Sequence, residues 1–442
     1  MGLPHDITYA AAALATSPVW AYRMWRTGKW RTDWGGRFGR GEPVVPMPND
    51  QGGRRRRLLI HAVSVGEVNA IRQLVDLLHR EHGDRVELVI ATTTDTGYAR
   101  ARELFAADHS VVRYPLDFTV AVRRFLDRVR PSAVALVELE VWPNFVDECK
   151  RRDIPIVVIN GRLSARSFSR YRYLRPVVRS MFASLAAAAV QTPDYAQRFI
   201  AMGTPADRVH VLDTMKWDTA EVADDVPNAG ELAEQMGIDR AHPLVVAGST
   251  GPGEERLLID AIRAECPPET QLLLVPRKPE RFDEVAALDA TIIRRSDRKP
   301  TAAVREGQPA HTLFLLDTMG ELRKAYALAD VVVIGRSFNG LGGSDPIEPI
   351  ALSKPTIVGP DHHNFADVVH AFEKAGGIVA TRQLGPAIAK LLANPDQAAE
   401  LARHGRDVIL SRQGSTQRHA ELLLKVLGLA DTSIVDAAAP SP

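Results

Sequence analysis

From Arg57 onward the chain alternates short apolar runs with stretches of helical spacing, and it does so in two series. Leu58–Val63, Val86–Thr92, Ala133–Glu138, Ile154–Asn160, Ala186–Gln191 and Val209–Leu212 read as strands. Between the first two, Val68, Ile71, Leu74, Val75 and Leu78 recur at the spacing of one helix face, which predicts a helix over Val68–His82. Gly97–Ala107, Val120–Val129 and Arg170–Ala183 continue the pattern. After the acidic, polar stretch Asp218–Asn228 a second series begins, with strands at Leu244–Gly248, Gln271–Pro276, His311–Leu316, Asp330–Ile334 and Pro355–Val358. Strands this apolar are buried on both faces, and helices between them make the sheets mostly parallel. A length of 442 residues fits two such domains. The expected divisions are an N-terminal segment 1–40, α/β domains 41–220 and 221–428, and a disordered Ala/Asp/Pro/Ser-rich tail 429–442. No short-period repeat is present; the two α/β halves are the only internal echo.

A net charge of +1 exerts no global pull on nucleic acid, and none is expected as a partner. The distribution is less even. Arg23, Arg26, Lys29, Arg31, Arg37, Arg40 and Arg54–Arg57 crowd one region, which suits anionic or phosphorylated lipid and equally suits a solvated surface. Before them Ile7–Tyr22 is apolar, short for a membrane span and interrupted by Thr16, Ser17 and Pro18. Basic residues on its C-terminal side point to an anchor or interfacial helix with the body in the cytoplasm; a helix packed on the body is the competing reading. The two cysteines, Cys149 and Cys266, lack metal-ligand spacing and fit a reducing compartment.

Three constellations carry chemistry. In Gly335–Pro349 (GRSFNGLGGSDPIEP) a buried strand runs into a glycine-rich turn, with Glu348 at a helix start. Glycines let backbone approach a ligand, helix-start amides suit phosphate, and a nearby carboxylate suits a ribose. In HAVSVGEV (61–68) a strand ends and Glu67 follows at the turn into a helix, placed either to take a proton or to cap that helix. In VELEVWPN (137–144) Glu138 and Glu140 close an apolar strand; alternation places them on one face, as a catalytic pair or a structural ion pair. Weaker signals are Arg162 and Arg166 in NGRLSARS, Lys216 at the end of the first domain, Arg277 and Lys278 at a strand end, and Met319-Gly320-Glu321 before a helix.

Taken in order and spacing, HAVSVGE, TTTDTGYARA, YPLDF, ELEVWPN, NGRLSARSFSRY, AGSTGPGEE, VPRKPERF, DTMGEL and GGSDPIEP resemble the 3-deoxy-D-manno-octulosonic acid (Kdo) transferases of lipid A biosynthesis. The resemblance spans roughly residues 7–427, including WGGRFG at 34–39. It implies a GT-B fold, two Rossmann-like α/β domains facing a central cleft, an architecture the pattern allows alongside other two-domain α/β enzymes. It implies inverting transfer of Kdo from CMP-Kdo to a lipid A precursor, at the cytoplasmic face of the inner membrane, with no metal in the site and no cofactor. By motif position Glu67 matches the base, and Glu138 and Lys216 match residues that stabilise the transition state. Pro276 and Arg277, Met319, Gly320 and Glu321, and Asp345, Pro346, Ile347 and Glu348 match the CMP-binding segments.

The chain departs from the family on the donor side. Ser344-Asp345 stands for His-Asn, Arg336 for a glycine, Gly251 and Lys278 for histidines, and Asp213-Thr214 for Gly-Asn. Other readings are another GT-B transferase or epimerase with an altered donor, or a non-catalytic nucleotide-binding relative at the membrane. The number of sugars added, the acyl pattern of the acceptor and the oligomeric state have no signature in the sequence.

Overall fold

The computed structural model describes residues 32–45, 55–173, 175–297 and 311–429, with scattered positions from 6 to 26. The chain divides into two compact units, Met1–Asp218 with Gly414–Pro442, and Thr219–Gln413.

The first unit holds a seven-stranded parallel sheet: β1 Arg56–His61, β2 Val86–Thr92, β3 Ser110–Arg113, β4 Ala133–Val137, β5 Ile156–Gly161, β6 Ala187–Val190 and β7 Val209–Val211, ordered β3-β2-β1-β4-β5-β6-β7. Successive side chains serve opposite faces. Leu59, Val89, Val134 and Leu136 join one core; Leu58, Ile60, Leu88, Ala133 and Ala135 join the other. Both faces are covered, which is why all seven residues of β2 are buried.

The second unit repeats the scheme with β8 Leu244–Thr250, β9 Gln271–Pro276, β10 Ile293–Arg294, β11 Leu313–Leu315, β12 Val331–Ile334, β13 Thr356–Val358 and β14 Val379–Ala380. Their order is β10-β11-β9-β8-β12-β13-β14, again parallel throughout. In each sheet the strand order reverses beside the first strand of the unit, between β1 and β4 and between β8 and β12. At such a reversal the loops leaving the two strands diverge and open a crevice at their carboxyl ends.

Several expectations change in detail. The predicted helix over 68–82 is two helices, Val65–Ala70 and Arg72–His82, so Glu67 lies in a first helical turn. The helix Ser415–Val426, grouped by sequence with the second domain, packs Ala420, Leu423 and Leu424 into the core of the first. The basic cluster is partly spent inside the protein: Arg57 is 3% exposed and pairs with Glu87 at 2.9 Å. Arg37 donates to the Thr93 carbonyl (2.9 Å) and to Thr32 (3.0 Å). Arg23, Lys29, Arg31 and Arg54 lie outside the described residues, as do much of Ile7–Tyr22 and the tail after 429. Asp6 accepts from the Thr119 amide and Asn144 Nδ2, both at 2.9 Å, and Tyr9 donates to Asp117 at 3.0 Å. Among the described residues no helix is long and apolar enough to cross a membrane.

Candidate active site

The first unit gathers three carboxylates at its strand-order reversal. β1 delivers Val63 and Ser64, and Glu67 reaches back from the helix that follows. Its Oε2 accepts the Val63 amide at 2.8 Å and its Oε1 the Ser64 hydroxyl at 3.0 Å. That is the capping role foreseen for it, and it fixes the carboxyl in place. It does not make the carboxyl acidic. Burial, with Glu138 and Glu140 adding like charge, outweighs both hydrogen bonds and pushes its pKa up to about 7. A carboxyl poised there exchanges protons near neutral pH.

Glu138 arrives from β4, but not as a strand residue. The strand ends at Val137, and Glu138 takes a left-handed backbone with φ of 61°. This conformation costs of order 1 kcal/mol or more for a residue with a Cβ. Alternation along a strand therefore does not set the relation of Glu138 to Glu140; the turn does. The Glu138 amide and carbonyl tie into the Ile159 carbonyl (3.0 Å) and the Arg162 amide (3.4 Å). Glu140 accepts from Trp142 Nε1 at 2.9 Å, and burial raises its pKa as well, with Glu138 adding to the rise.

Lys216 sits on the 3-10 turn Met215–Asp218, half-buried, with its amide on Thr214 Oγ1 at 3.3 Å. The C-terminal helix clamps this turn. Asp218 accepts the Gly414 and Thr416 amides at 2.7 and 2.6 Å. His419 Nε2 receives the Asn160 amide at 3.1 Å, so Nδ1 carries the proton and donates to the Ser415 carbonyl at 2.8 Å. Burial holds this imidazole neutral, its pKa down to about 4. Asn160 Oδ1 in turn receives the Met215 amide at 3.4 Å. Sequence reasoning missed this chain of contacts, which joins Asn160 to His419 across 259 positions and Asp218 to Gly414 across 196.

In the second unit the loops after β8, β9 and β12 meet. The Arg277 amide donates to the Thr250 carbonyl (3.1 Å) and the Gly335 amide to the Gly248 carbonyl (2.8 Å). A Cβ on Gly335 would stand 2.4 Å from Thr250 Cα, so only glycine permits this approach. Part of the expected amide cradle is occupied from within the protein. The amides of Gly251, Arg336 and Phe338 already point at the buried Glu254 carboxylate, at 2.7, 2.6 and 2.9 Å. Asp345 accepts the Ile347 amide at 2.9 Å and so sits at the start of helix Ile347–Ala351. Glu321 is held by Thr318, Arg295 and Lys324; burial works against its charge, but these partners keep its pKa below the ordinary value. Met319 is 70% exposed, and Lys278 pairs loosely with Glu280 at the surface.

Two side chains remain open for a ligand. Arg277 makes no side-chain hydrogen bond among the described residues; desolvation, with Arg336 beside it, lowers its pKa below the usual guanidinium value. Glu348 is half-buried and likewise accepts no hydrogen bond among the described residues. Burial raises its pKa, Arg323 opposes the rise, and Asp345 adds to it. Sequence reasoning missed Tyr326. Its hydroxyl is buried against Ser249 near Glu348, Asp345 and Arg277, and burial drives its pKa far up. On a helix reading LRKAYAL it looks like an ordinary core residue.

The departures have a physical pattern. Arg336 and Asp213, both standing for glycine, are left-handed, with φ of 61° and 67°. Arg336 passes over Gly251: a Cβ there would meet Arg336 Cγ at 3.2 Å and Asn339 Nδ2 at 2.6 Å. A side chain lost at 251 leaves the room that Arg336 and Asn339 take up.

Residues 32–219 match the family model "3-Deoxy-D-manno-octulosonic-acid transferase (kdotransferase)". The chain is 32% identical to the 3-deoxy-D-manno-octulosonic acid transferase of Bordetella pertussis, over 95% of this chain and 99% of that protein. It is 31% identical to that of Haemophilus influenzae, over 83% and 86%. Among solved structures it is similar to Acinetobacter baumannii MurG (TM-score 0.53, 14% identity, 84% of this chain and 99% of that one). It is also similar to Anabaena HepE in complex with UDP (TM-score 0.55, 13% identity, 84% and 100%). Identities this low speak for the fold alone, and that fold is GT-B.

Proposed function

Because the chain belongs to the 3-deoxy-D-manno-octulosonic acid transferases, and is therefore a glycosyltransferase of lipopolysaccharide biosynthesis, we propose that it moves Kdo from CMP-Kdo to a lipid A precursor with inversion. The observation that carries the mechanism is the Glu67 carboxyl at pKa about 7, fixed by Val63 and Ser64. Glu67 takes the proton of the attacking acceptor hydroxyl. The hydroxyl oxygen forms the new bond to the anomeric carbon as the bond to CMP breaks, and CMP leaves with the electron pair. Burial, with the charges of Glu138 and Glu140 adding to it, keeps Glu67 basic enough to work, and Glu138 also opposes the positive charge of the oxocarbenium-like transition state. Lys216 helps stabilise the transition state, the role the family resemblance gives it.

On the donor side Arg277 binds the phosphate and Glu348 the ribose hydroxyls. Glu348→Ala is expected to weaken CMP binding by about 1.5–3 kcal/mol, the range for hydrogen bonds to a charged acceptor. Calorimetric titration with CMP reads this directly, and unchanged affinity would take Glu348 out of the ribose site. A monophosphate leaving group met by the guanidinium of Arg277 needs no bridging cation. Transfer measured in excess chelator should equal transfer in Mg²⁺; loss in chelator with recovery on adding Mg²⁺ would contradict this.

A water-borne nucleotide sugar and a lipid-borne acceptor meet at a membrane surface, which supports placing the enzyme at the cytoplasmic face of the inner membrane. The deciding experiment is incubation with CMP-Kdo and a phosphorylated, acylated disaccharide, with products read by mass spectrometry. Absence of a Kdo-bearing product would refute the proposal.

A further inference from the structure

Three strand ends of the second unit meet around Gly251. Arg277 leaves β9 on one side of β8, and Arg336 leaves β12 on the other. Between them Gly251 has no side chain, and Arg336 Cγ lies 3.2 Å from where its Cβ would stand. The backbone of Arg336 is pinned at both ends: its amide donates to Glu254 at 2.6 Å, and its carbonyl accepts the Gly343 amide at 2.7 Å. These bonds hold the left-handed φ of 61°, which a residue with a Cβ adopts at a cost. The side chain is nearly unspent. Nη2 donates to the Leu341 carbonyl at 3.3 Å, and the guanidinium forms no ion pair among the described residues. Neighbouring cations differ, since Arg281 meets Glu255, Arg294 meets Asp317, Arg295 meets Glu321 and Lys278 meets Glu280. Arg277 shares the condition of Arg336. Desolvation lowers its pKa and the Arg336 charge lowers it further, with Tyr326 and Asp345 opposing the fall.

Two guanidinium groups brought together repel each other, and a ligand with two anionic groups close together relieves that repulsion. A 2-ulosonic acid joined to a nucleoside monophosphate is such a ligand. Its anomeric carbon carries the carboxylate directly and the phosphate through the bridging oxygen. Guanidinium forks match the oxygens of both groups. We propose that Arg277 and Arg336 act as a pair on the donor, Arg277 on its phosphate and Arg336 on the carboxylate of its sugar, so that Arg336 selects a donor whose sugar is an acid. This rests on the Kdo-transfer reading, which supplies the acidic sugar. In the family resemblance Gly251 stands for a histidine and Arg336 for a glycine, so in this chain the side chain that fills the space comes from the loop after β12.

The test uses the full chain with Arg336→Gly. Glycine suits the left-handed backbone, so the variant should melt no lower than the unaltered protein and a change in binding is not a loss of fold. Calorimetric titration without acceptor compares CMP-Kdo with the methyl ester of CMP, which carries the same single phosphate charge and no carboxylate. Loss of hydrogen bonds between charged groups weakens binding by roughly tenfold to a hundredfold, and CMP-Kdo alone should show it. The methyl ester should bind the variant and the unaltered protein alike, whereas Arg277→Gln should weaken both ligands. An equal loss for both ligands in Arg336→Gly would move Arg336 to the phosphate, and unchanged CMP-Kdo binding would leave it a solvated cation; either result overturns the proposal. Transfer by the unaltered protein is measured in parallel. Absence of a Kdo-bearing product would count against the proposed function while the titrations still judge Arg336. Transfer by the unaltered protein, with no discrimination between the two ligands in the variant, would remove the paired site alone.

Discussion

Glu67→Gln is expected to lower turnover by about 10²–10⁴-fold while CMP binding stays near its original strength. The amide is nearly isosteric: its oxygen can accept from the Val63 amide, and its NH2 can donate to the Ser64 hydroxyl oxygen, so the local turn survives. What is lost is the ability to accept a proton. The pH profile gives a second reading. With a pKa of about 7, the base is mostly protonated below neutrality, so kcat/KM should rise through pH 7 in the unaltered enzyme. The residual rate of the glutamine variant should lack that limb. Stability should move in the opposite sense. A carboxyl whose folded pKa is raised contributes stability fully below its unfolded pKa, near 4.3, and loses it as pH climbs through about 7. At pH 8 the glutamine variant should therefore melt no lower than the parent. Full turnover in the variant, or an unchanged acid limb, would remove Glu67 from the role of base.

Arg281→Met is expected to cost about 3–5 kcal/mol of folding stability, because it leaves the Glu255 carboxylate buried without its cation. The Glu255 side chain is 1% exposed and that of Arg281 8%, and they meet in a two-pronged contact at 2.7 and 2.9 Å. Glu255 also accepts from Thr250 Oγ1 at 2.6 Å. Thr250 is the residue whose carbonyl holds the Arg277 amide. The pair therefore fixes the end of β8 and, through it, the backbone that presents Arg277. Replacing both partners, as Arg281→Met with Glu255→Leu, removes the stranded charge and should recover most of the stability, though CMP binding should stay weakened. Urea denaturation separates these outcomes. A single variant within about 1 kcal/mol of the parent would mean that water reaches the carboxylate.

Most of the architecture was legible because parallel sheets impose a local rule. A strand covered on both faces must be apolar at every position, and a crossover must be amphipathic, so both appear within a ten-residue window. Leu58–Ile60, Leu88–Ala91 and Leu272–Val275 satisfied that rule directly. Glu67 was likewise visible, because a strand end followed by a helix start puts the next side chain at the carboxyl edge wherever the strand sits in the sheet.

Strand order is not local, and the tertiary structure alone supplied it. β1 lies beside β4 although more than seventy residues separate them, and that neighbourhood brings the charges of Glu138 and Glu140 to bear on Glu67. The glycine-rich turn read as an amide cradle, yet the side chain of Glu254, some eighty residues earlier, has taken two of its amides, those of Arg336 and Phe338. Arg57 counted as a surface cation until Glu87 closed on it. The C-terminal helix belonged by position to the second unit and by packing to the first. In each case the deciding quantity is a through-space partner: which charge or carbonyl lies within a few ångströms of a group that has left water. A sequence states which groups can be donors, acceptors or charges. Only the folded chain decides which of them are already spent and which, like Arg277 and Glu348, stay open for a ligand.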